Sequence, residues 1–270
     1  MEGFLLPPAS CLLPPVFPFP FPYAIASPYP FQERIFLLML AVAQFRYSAD
    51  NLAYLVYGPQ SAMAVDGGAV DEIGRFLAEQ GLALFYVVNT HRHYDHTAGN
   101  EFLLQHYPAQ HIGCRDLADM GKIFLDNEPI LIYPTPGHSD DSLCFHLGNV
   151  LISGDTLFNG TIGNCFSGRS DLFYQSIKKL MALPPETIIY AGHDYVKDSI
   201  YFARQLEPDN PYLNRFLQNY DSEHVYSTLA DEFRINPYLR FNDEKIIAIL
   251  KNEGLPYATE WERWQSLMTF

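Results

Sequence analysis

Thr90-His91-Arg92-His93-Tyr94-Asp95-His96 follows directly on Leu82–Asn89 (LALFYVVN), an unbroken apolar run. A run of that length without alternation reads as a strand buried on both faces. Four metal-capable side chains, His91, His93, Asp95 and His96, then fall where the strand gives way to a turn. Side chains alternate along extended backbone, so His91 and His93 point the same way and reach one ion. Asp95 and His96 come at the turn and face a second ion beside it. Zinc-type cations take imidazole nitrogen at about 2.0–2.1 Å and carboxylate oxygen at about 2.0–2.2 Å. A lone histidine is ordinarily a core or surface residue; donors this crowded point to metal.

Three downstream positions repeat the arrangement. His138, in Thr135-Pro136-Gly137-His138, follows a strand expected at 130–133. Asp155, in Ser153-Gly154-Asp155-Thr156, follows one at 150–153, and His193, in Ala191-Gly192-His193-Asp194, follows one at 187–191. A glycine precedes each, which lets the backbone turn sharply. Singly these are a turn aspartate and capping histidines. Together they repeat one device, a short strand that delivers a ligand at one edge of the sheets.

Upstream, residues 40–47 and 52–58 read as a hairpin and 61–66 as a third strand. Residues 70–80 have helical spacing, stopped by Gly81. Residues 143–147 read as a further strand, and 171–183 and 199–206 as helices. Strands and helices interleave to residue 206, an α/β pattern with helices packed outside sheets. After Pro208 and Pro211 the strand signals disappear. Residues 214–220, 243–252 and 259–268 read as helices, so a small helical domain over 207–270 follows a main domain over 39–206.

Residues 1–38 hold nine of the twenty prolines. Proline lacks an N–H and disfavours helix before it, so this leader is expected to be extended and poorly ordered. It reads either as a proline-rich ligand for a partner or as a mis-assigned start ahead of Met39. The apolar stretch 35–43 (IFLLMLAVA) ends in an A-x-A pattern like a signal-peptide core. It lies far into the chain behind the single basic residue Arg34, and it is too short to span a bilayer, so a first strand is the expectation.

The 270 residues carry a formal charge of −14, from 31 acidic and 17 basic residues. Such a balance excludes non-specific binding to nucleic acid or to an anionic membrane. Cys11, Cys114, Cys144 and Cys165 are widely spaced, with no C-x-x-C pair. They form neither a disulfide framework nor a cysteine zinc site, and a reducing, cytoplasmic compartment is expected.

With T-H-x-H-x-D-H intact at 90–96, the chain resembles the metallo-β-lactamase superfamily over about residues 39–206. The resemblance implies an αββα sandwich with two metal ions at one sheet edge. Carried over residue by residue, His91, His93 and His138 hold the first ion, Asp95, His96 and His193 the second, and Asp155 bridges them. Zinc is the first expectation, and iron or manganese suit the same donors. Within the superfamily the chain is most similar to glyoxalase II, the hydroxyacylglutathione hydrolases. Gly154-Asp155-Thr156-Leu157-Phe158 matches that family's G-D-T-L-F, and Gly192-His193-Asp194-Tyr195 resembles its G-H-E-Y. Ser227-Thr228-Leu229-Ala230-Asp231-Glu232-Phe233 and Asn236-Pro237-Tyr238-Leu239-Arg240 are similar to the S-T-L-x-x-E and N-P-F-x-R of its C-terminal helical domain.

This implies a small-molecule thioester substrate, a glutathione conjugate such as S-D-lactoylglutathione, cleaved by a metal-activated hydroxide with thiolate as leaving group. Asp95 ligates metal and also orients the water. Thr90 and Asp194 are candidates to fix histidine tautomers. Tyr195 matches the family's glutathione contact. Asn164 stands where the family usually has Lys or Arg, Phe166 fills the following aromatic position without a phenol, Arg240 is retained, and Lys245 is displaced from the usual spacing. Arg169 is close enough in sequence to compensate. Asp140 and Asp141 read as solvated turn residues or as partners of a ligand. Two rivals remain at this level: a mononuclear-iron persulfide dioxygenase or other hydrolase on the same fold, and a non-catalytic scaffold docked through residues 1–38.

Overall fold

The computed structural model describes residues 40–270; the leader and most of the apolar 35–43 stretch lie outside the described residues. Two sheets stack face to face. The first has the order β1-β2-β3-β4-β5, built from Ala41–Tyr47 (β1), Asn51–Tyr57 (β2), Ser61–Val65 (β3), Ala83–Val88 (β4) and Gln110–His111 (β5). The second runs β11-β10-β9-β8-β7-β6, from Ser227–Thr228 (β11), Ile188–Ala191 (β10), Val150–Gly154 (β9), Leu143–Leu147 (β8), Glu128–Pro134 (β7) and Lys122–Leu125 (β6). Both sheets are mixed: β3, β4 and β5 pair in parallel, as do β9 and β10, and all other pairs are antiparallel.

Alternation on β2 divides the interior. Leu52, Tyr54 and Val56 face the second sheet and meet Phe145, Ile152 and Tyr190 in the core between the layers. Ala53 and Leu55 face outward, under Ile73 and Leu77 of helix α1 (Val70–Gln80) and Leu103 of α3 (Asn100–His106). Helix α2 is the single turn Tyr94–Thr97. On the outer face of the second sheet, Cys144, Leu151 and Ile189 pack beneath Phe173 and Ile177 of α5 (Ser170–Met181), together with Leu229 and Trp264 from the C-terminal helices and Phe241 from a turn between them. This is the expected αββα layering. Burial on both faces explains why β2 and β3 lack a polar side.

Several elements escaped the sequence pattern. Helix α4 (Cys114–Met120), α3 and strands β5 and β6 are too short to show a period. The C-terminal segment is not purely helical: β11 joins the second sheet through Ile188↔Thr228 and Ile189↔Ser227. Two residues cannot show alternation, so the strand is invisible before the fold exists. It leads into α8 (Leu229–Ile235), opened by a capping box in which Thr228 and Asp231 satisfy each other's backbone. The helix expected at 214–220 is α7 (Pro211–Asn219), begun earlier because Asn210 caps it and Pro211 sits in its first turn. Helices α6 (Val196–Leu206), α9 (Glu244–Asn252) and α10 (Glu260–Leu267) complete the chain. Among the described residues no helix is long and apolar enough to cross a membrane.

Candidate metal centre

Strand β4 ends at Val88, β9 at Gly154 and β10 at Ala191, and the turn after β7 carries His138. These ends lie at the same edge of the sandwich. His91 Nε2 lies 2.8 Å from His93 Nδ1, and His138 Nε2 lies 3.1 Å from that same nitrogen. Beside this group, His96 Nε2 and His193 Nε2 are 3.2 Å apart, with Asp95 Oδ2 at 3.6 Å and 3.3 Å from them. Asp155 sits between the groups: its Oδ2 is 3.5 Å from both His138 Nε2 and His193 Nε2, and its Oδ1 is 3.4 Å from His96 Nε2. All seven residues picked from the sequence converge.

Two glycines make the approach possible. Gly154, at φ +52°, bends β9 into the site, and a Cβ there would strike the Thr90 side chain. Gly192 is not in a left-handed conformation; a Cβ there would overlap Asp155 Oδ1 and crowd the His96 ring. Its absence of a side chain provides room, not a turn.

The residues fit a pair of cations. Donors arranged tetrahedrally at zinc distances lie about 3.3 Å apart, the spacing found here. The ring nitrogens face one another, and no more than one of each facing pair can donate. Asp155 Oδ1 is buried and has no hydrogen-bond partner. A buried lone pair aimed among imidazoles is costly unless a cation takes it. Burial pushes His91 down to about 4, keeping its imidazole neutral. His96 is also buried, but Asp66 and Asp155 outweigh that effect and raise it to about 11. His193 is raised too, by Asp155 and Asp50 against its own burial. Asp155 is held well below the usual carboxylate range in spite of burial, because His193 and His96 face it.

The outer partners differ in part from expectation. Thr90 Oγ1 lies 3.1 Å from His91 Nδ1 and donates to Asp66 Oδ2 at 2.7 Å. Asp194 meets no ligand ring: Arg46 and Tyr220 both donate to its Oδ2, at 2.6 Å. The carboxylates that do meet the rings are Asp66, 2.9 Å from His96 Nδ1, and Asp50, 3.1 Å from His193 Nδ1. Asp66 follows β3 directly, as the candidate ligands follow their strands, at φ +52° ahead of Gly67-Gly68, and that position was its available signal. Asp50, from the β1–β2 turn, and Asn51, which opens β2 and whose amide donates to Asp95 Oδ2 at 3.1 Å, gave none.

Around the mouth, the Tyr195 ring stacks on His193 with centroids 5.0 Å apart. Phe166 is 67% exposed with its ring 5.2 Å from that of His138, and the exposed Asn164 offers its carbonyl to His138 Nδ1 at 3.0 Å. Arg240 is turned inward: Glu207 Oε1 accepts from it at 2.9 Å and Asp243 Oδ2 at 3.0 Å. Lys245 is exposed on α9. Arg169 pairs with Asp171, and Arg92 pairs with Asp141, which draws that aspartate away from the ligands.

The family model for the metallo-beta-lactamase superfamily matches residues 50–129 and 123–193, and that for the hydroxyacylglutathione hydrolase C-terminus matches 194–267. A protein named hydroxyacylglutathione hydrolase from Chromohalobacter salexigens is 30% identical over 80% of this chain and 92% of its own. One of the same name from Alkalilimnicola ehrlichii is 34% identical over 71% and 82%. The crystal structure of ETHE1 from Myxococcus xanthus superposes with a TM-score of 0.59 at 25% identity, covering 84% of this chain and 99% of that one.

Proposed function

The chain belongs to the metallo-β-lactamase superfamily and carries the C-terminal region of the hydroxyacylglutathione hydrolases, and from that premise we propose that it is a metal-dependent thioester hydrolase acting on small hydroxyacyl thioesters, with S-D-lactoylglutathione as the reference substrate. The observation that carries the reading is the convergence of seven donor side chains at one sheet edge, with Asp155 common to both groups. His91, His93 and His138 would hold one divalent cation, zinc first among the candidates. Asp95, His96 and His193 would hold the other, and Asp155 would face both. When bound, the two ions supply an acidified water and a fixed positive charge for the oxyanion of the attacked carbonyl.

The protein's own groups prepare that chemistry. Asp66 only accepts, so it takes the Nδ1 proton of His96 and leaves Nε2 free as a ligand atom. Asp50 does the same for His193, the Asn164 carbonyl for His138, and Thr90 Oγ1, itself donating to Asp66, for His91. Asn51 holds one oxygen of Asp95 and turns the carboxylate toward His193. A thiol of pKa about 8.5 leaves readily as thiolate, so no strong general acid is needed. Burial pushes the Tyr195 phenol up to about 12, so it remains a donor at neutral pH for the thiol carrier. Phe166 and Asn164, at the mouth beside His138, would contact the substrate without the basic group the family usually has there. Arg240 has no role with the carrier in this reading, because Glu207 and Asp243 already occupy it.

The test is an activity screen of purified protein on S-D-lactoylglutathione, an acyl-CoA and a lactone, with elemental analysis of the same sample. Two metal ions per chain with preference for the glutathione thioester is the expected result. Preference for the lactone would overturn the thioester reading, and one iron per chain with oxygen uptake would overturn hydrolysis.

A further inference from the structure

Asp155 is followed by a small hairpin. Leu157 and Ile162 form an isolated antiparallel bridge and Phe158 N donates to Thr161 O at 3.0 Å, which leaves Asn159 and Gly160 at the tip. The tip runs into the C-terminal segment. Gly160 N donates to both carboxylate oxygens of Glu232, at 3.1 and 3.0 Å. Thr161 O accepts from Asn236 Nδ2 at 3.0 Å, and Asn159 Nδ2 donates to Ser227 Oγ at 2.8 Å. Glu232 and Asn236 are fully buried and bonded to each other at 2.8 Å.

An acid in this position is expensive. Burial pushes the Glu232 carboxyl up to about 7, and the groups that meet it are neutral donors. Packing alone would be served better by an apolar residue of the same volume. What the carboxylate supplies is a pair of acceptors for a backbone N–H that would otherwise be buried unpaired. Both ends of the hairpin return to the metal centre, Asp155 at its start and, at its close, Asn164, whose carbonyl takes His138 Nδ1.

We propose that Glu232 is a positioning residue for the metal centre: through the Gly160 amide it anchors the 157–162 hairpin so that Asp155 and the Asn164 carbonyl meet their partners. The proposal rests on the reading of the seven donors as metal ligands. The test titrates metal-free full-length protein with Co(II), follows the ligand-field spectrum, and measures steady-state kinetics and Tm alongside. Glu232→Ala is expected to weaken Co(II) binding about tenfold and to lower kcat with KM nearly unchanged. The comparison variant is Leu250→Ala, a fully buried residue of the C-terminal apolar cluster. It is expected to lower Tm while leaving the Co(II) affinity in place. Wild-type Co(II) affinity in folded Glu232→Ala, or equal weakening in both variants, overturns the proposal. If Glu232→Ala does not fold, Asn236→Ala takes its place, since it removes the Thr161 contact and one donor to the carboxylate; unchanged Co(II) affinity there overturns it too. Wild-type protein that binds two Co(II) but cleaves no thioester sinks the substrate reading alone.

Discussion

The two halves of the metal centre are supported by different chemistry. Around His91, His93 and His138 the outer contacts are neutral, a threonine hydroxyl on His91 and a backbone carbonyl on His138. Around His96 and His193 they are carboxylates, Asp66 and Asp50, with Asp95 adding another toward the ion position. The electrostatics follow: burial lowers His91 and His138, while the neighbouring acids raise His96 and His193. A charged outer shell strengthens each imidazole as a donor and adds long-range attraction for a cation. The carboxylate-backed half should therefore hold its ion more tightly and lose more when an outer acid is removed. Asp155 is the one side chain both halves share.

The largest effect should come from Asp155→Asn, which keeps the volume and removes the shared charge. Both ions should be lost and kcat should fall about 10³-fold, read by elemental analysis and steady-state kinetics. Loss of one ion alone would mean that the halves are independent. Asp66→Asn should weaken the His96 half about 10–100-fold and the other far less, as seen by chelator competition. Equal weakening of both halves would break the contrast, and the route would be Thr90, which joins Asp66 to His91.

The C-terminal segment offers a buried acid with no cation, and it sharpens the point. Glu232 titrates at about 7 in the fold against 4.5 for an ordinary glutamate. Its contribution to stability is therefore full below the unfolded value and is lost as pH rises toward the folded one, at up to about 1.4 kcal/mol per pH unit. Glu232→Gln should flatten that slope between pH 5 and 7 in denaturant melts; an unchanged slope would mean the acid is already ionised there. The smallest effect is expected from Asp50→Ala. Its side chain is 39% exposed, so solvent screens it, and metal affinity should fall only about threefold.

Much of the centre was readable beforehand because three of its donor side chains occur at strand ends beside glycine, and that is a local pattern. His138, Asp155 and His193 needed nothing else, and His91 and His93 were marked by alternation and crowding just past an apolar run. Asp66 occupied the same kind of position but carried no histidine beside it, so only the approach of β3 to the 90–96 turn revealed its part. Asp194 was adjacent to a ligand in sequence, yet its side chain points to Arg46 and Tyr220, and Asp50, over a hundred residues earlier, takes the His193 ring instead. Arg240 carried the right motif, but Glu207 had already claimed its charge.

From the chain alone came the layered α/β class, the strand that presents 90–96, the candidate ligand residues and the helical nature of most of the C-terminal segment. These depend on periodicity, apolar run length and glycine placement, which are properties of neighbours along the chain. The partners of each imidazole, the short strand β11, the inward turn of Arg240 and the grip of Glu232 on Gly160 were decided by tertiary structure. Each depends on which polar groups burial brings within hydrogen-bond reach, and residues distant in sequence become competitors for the same donor only after the sheets have closed on one another.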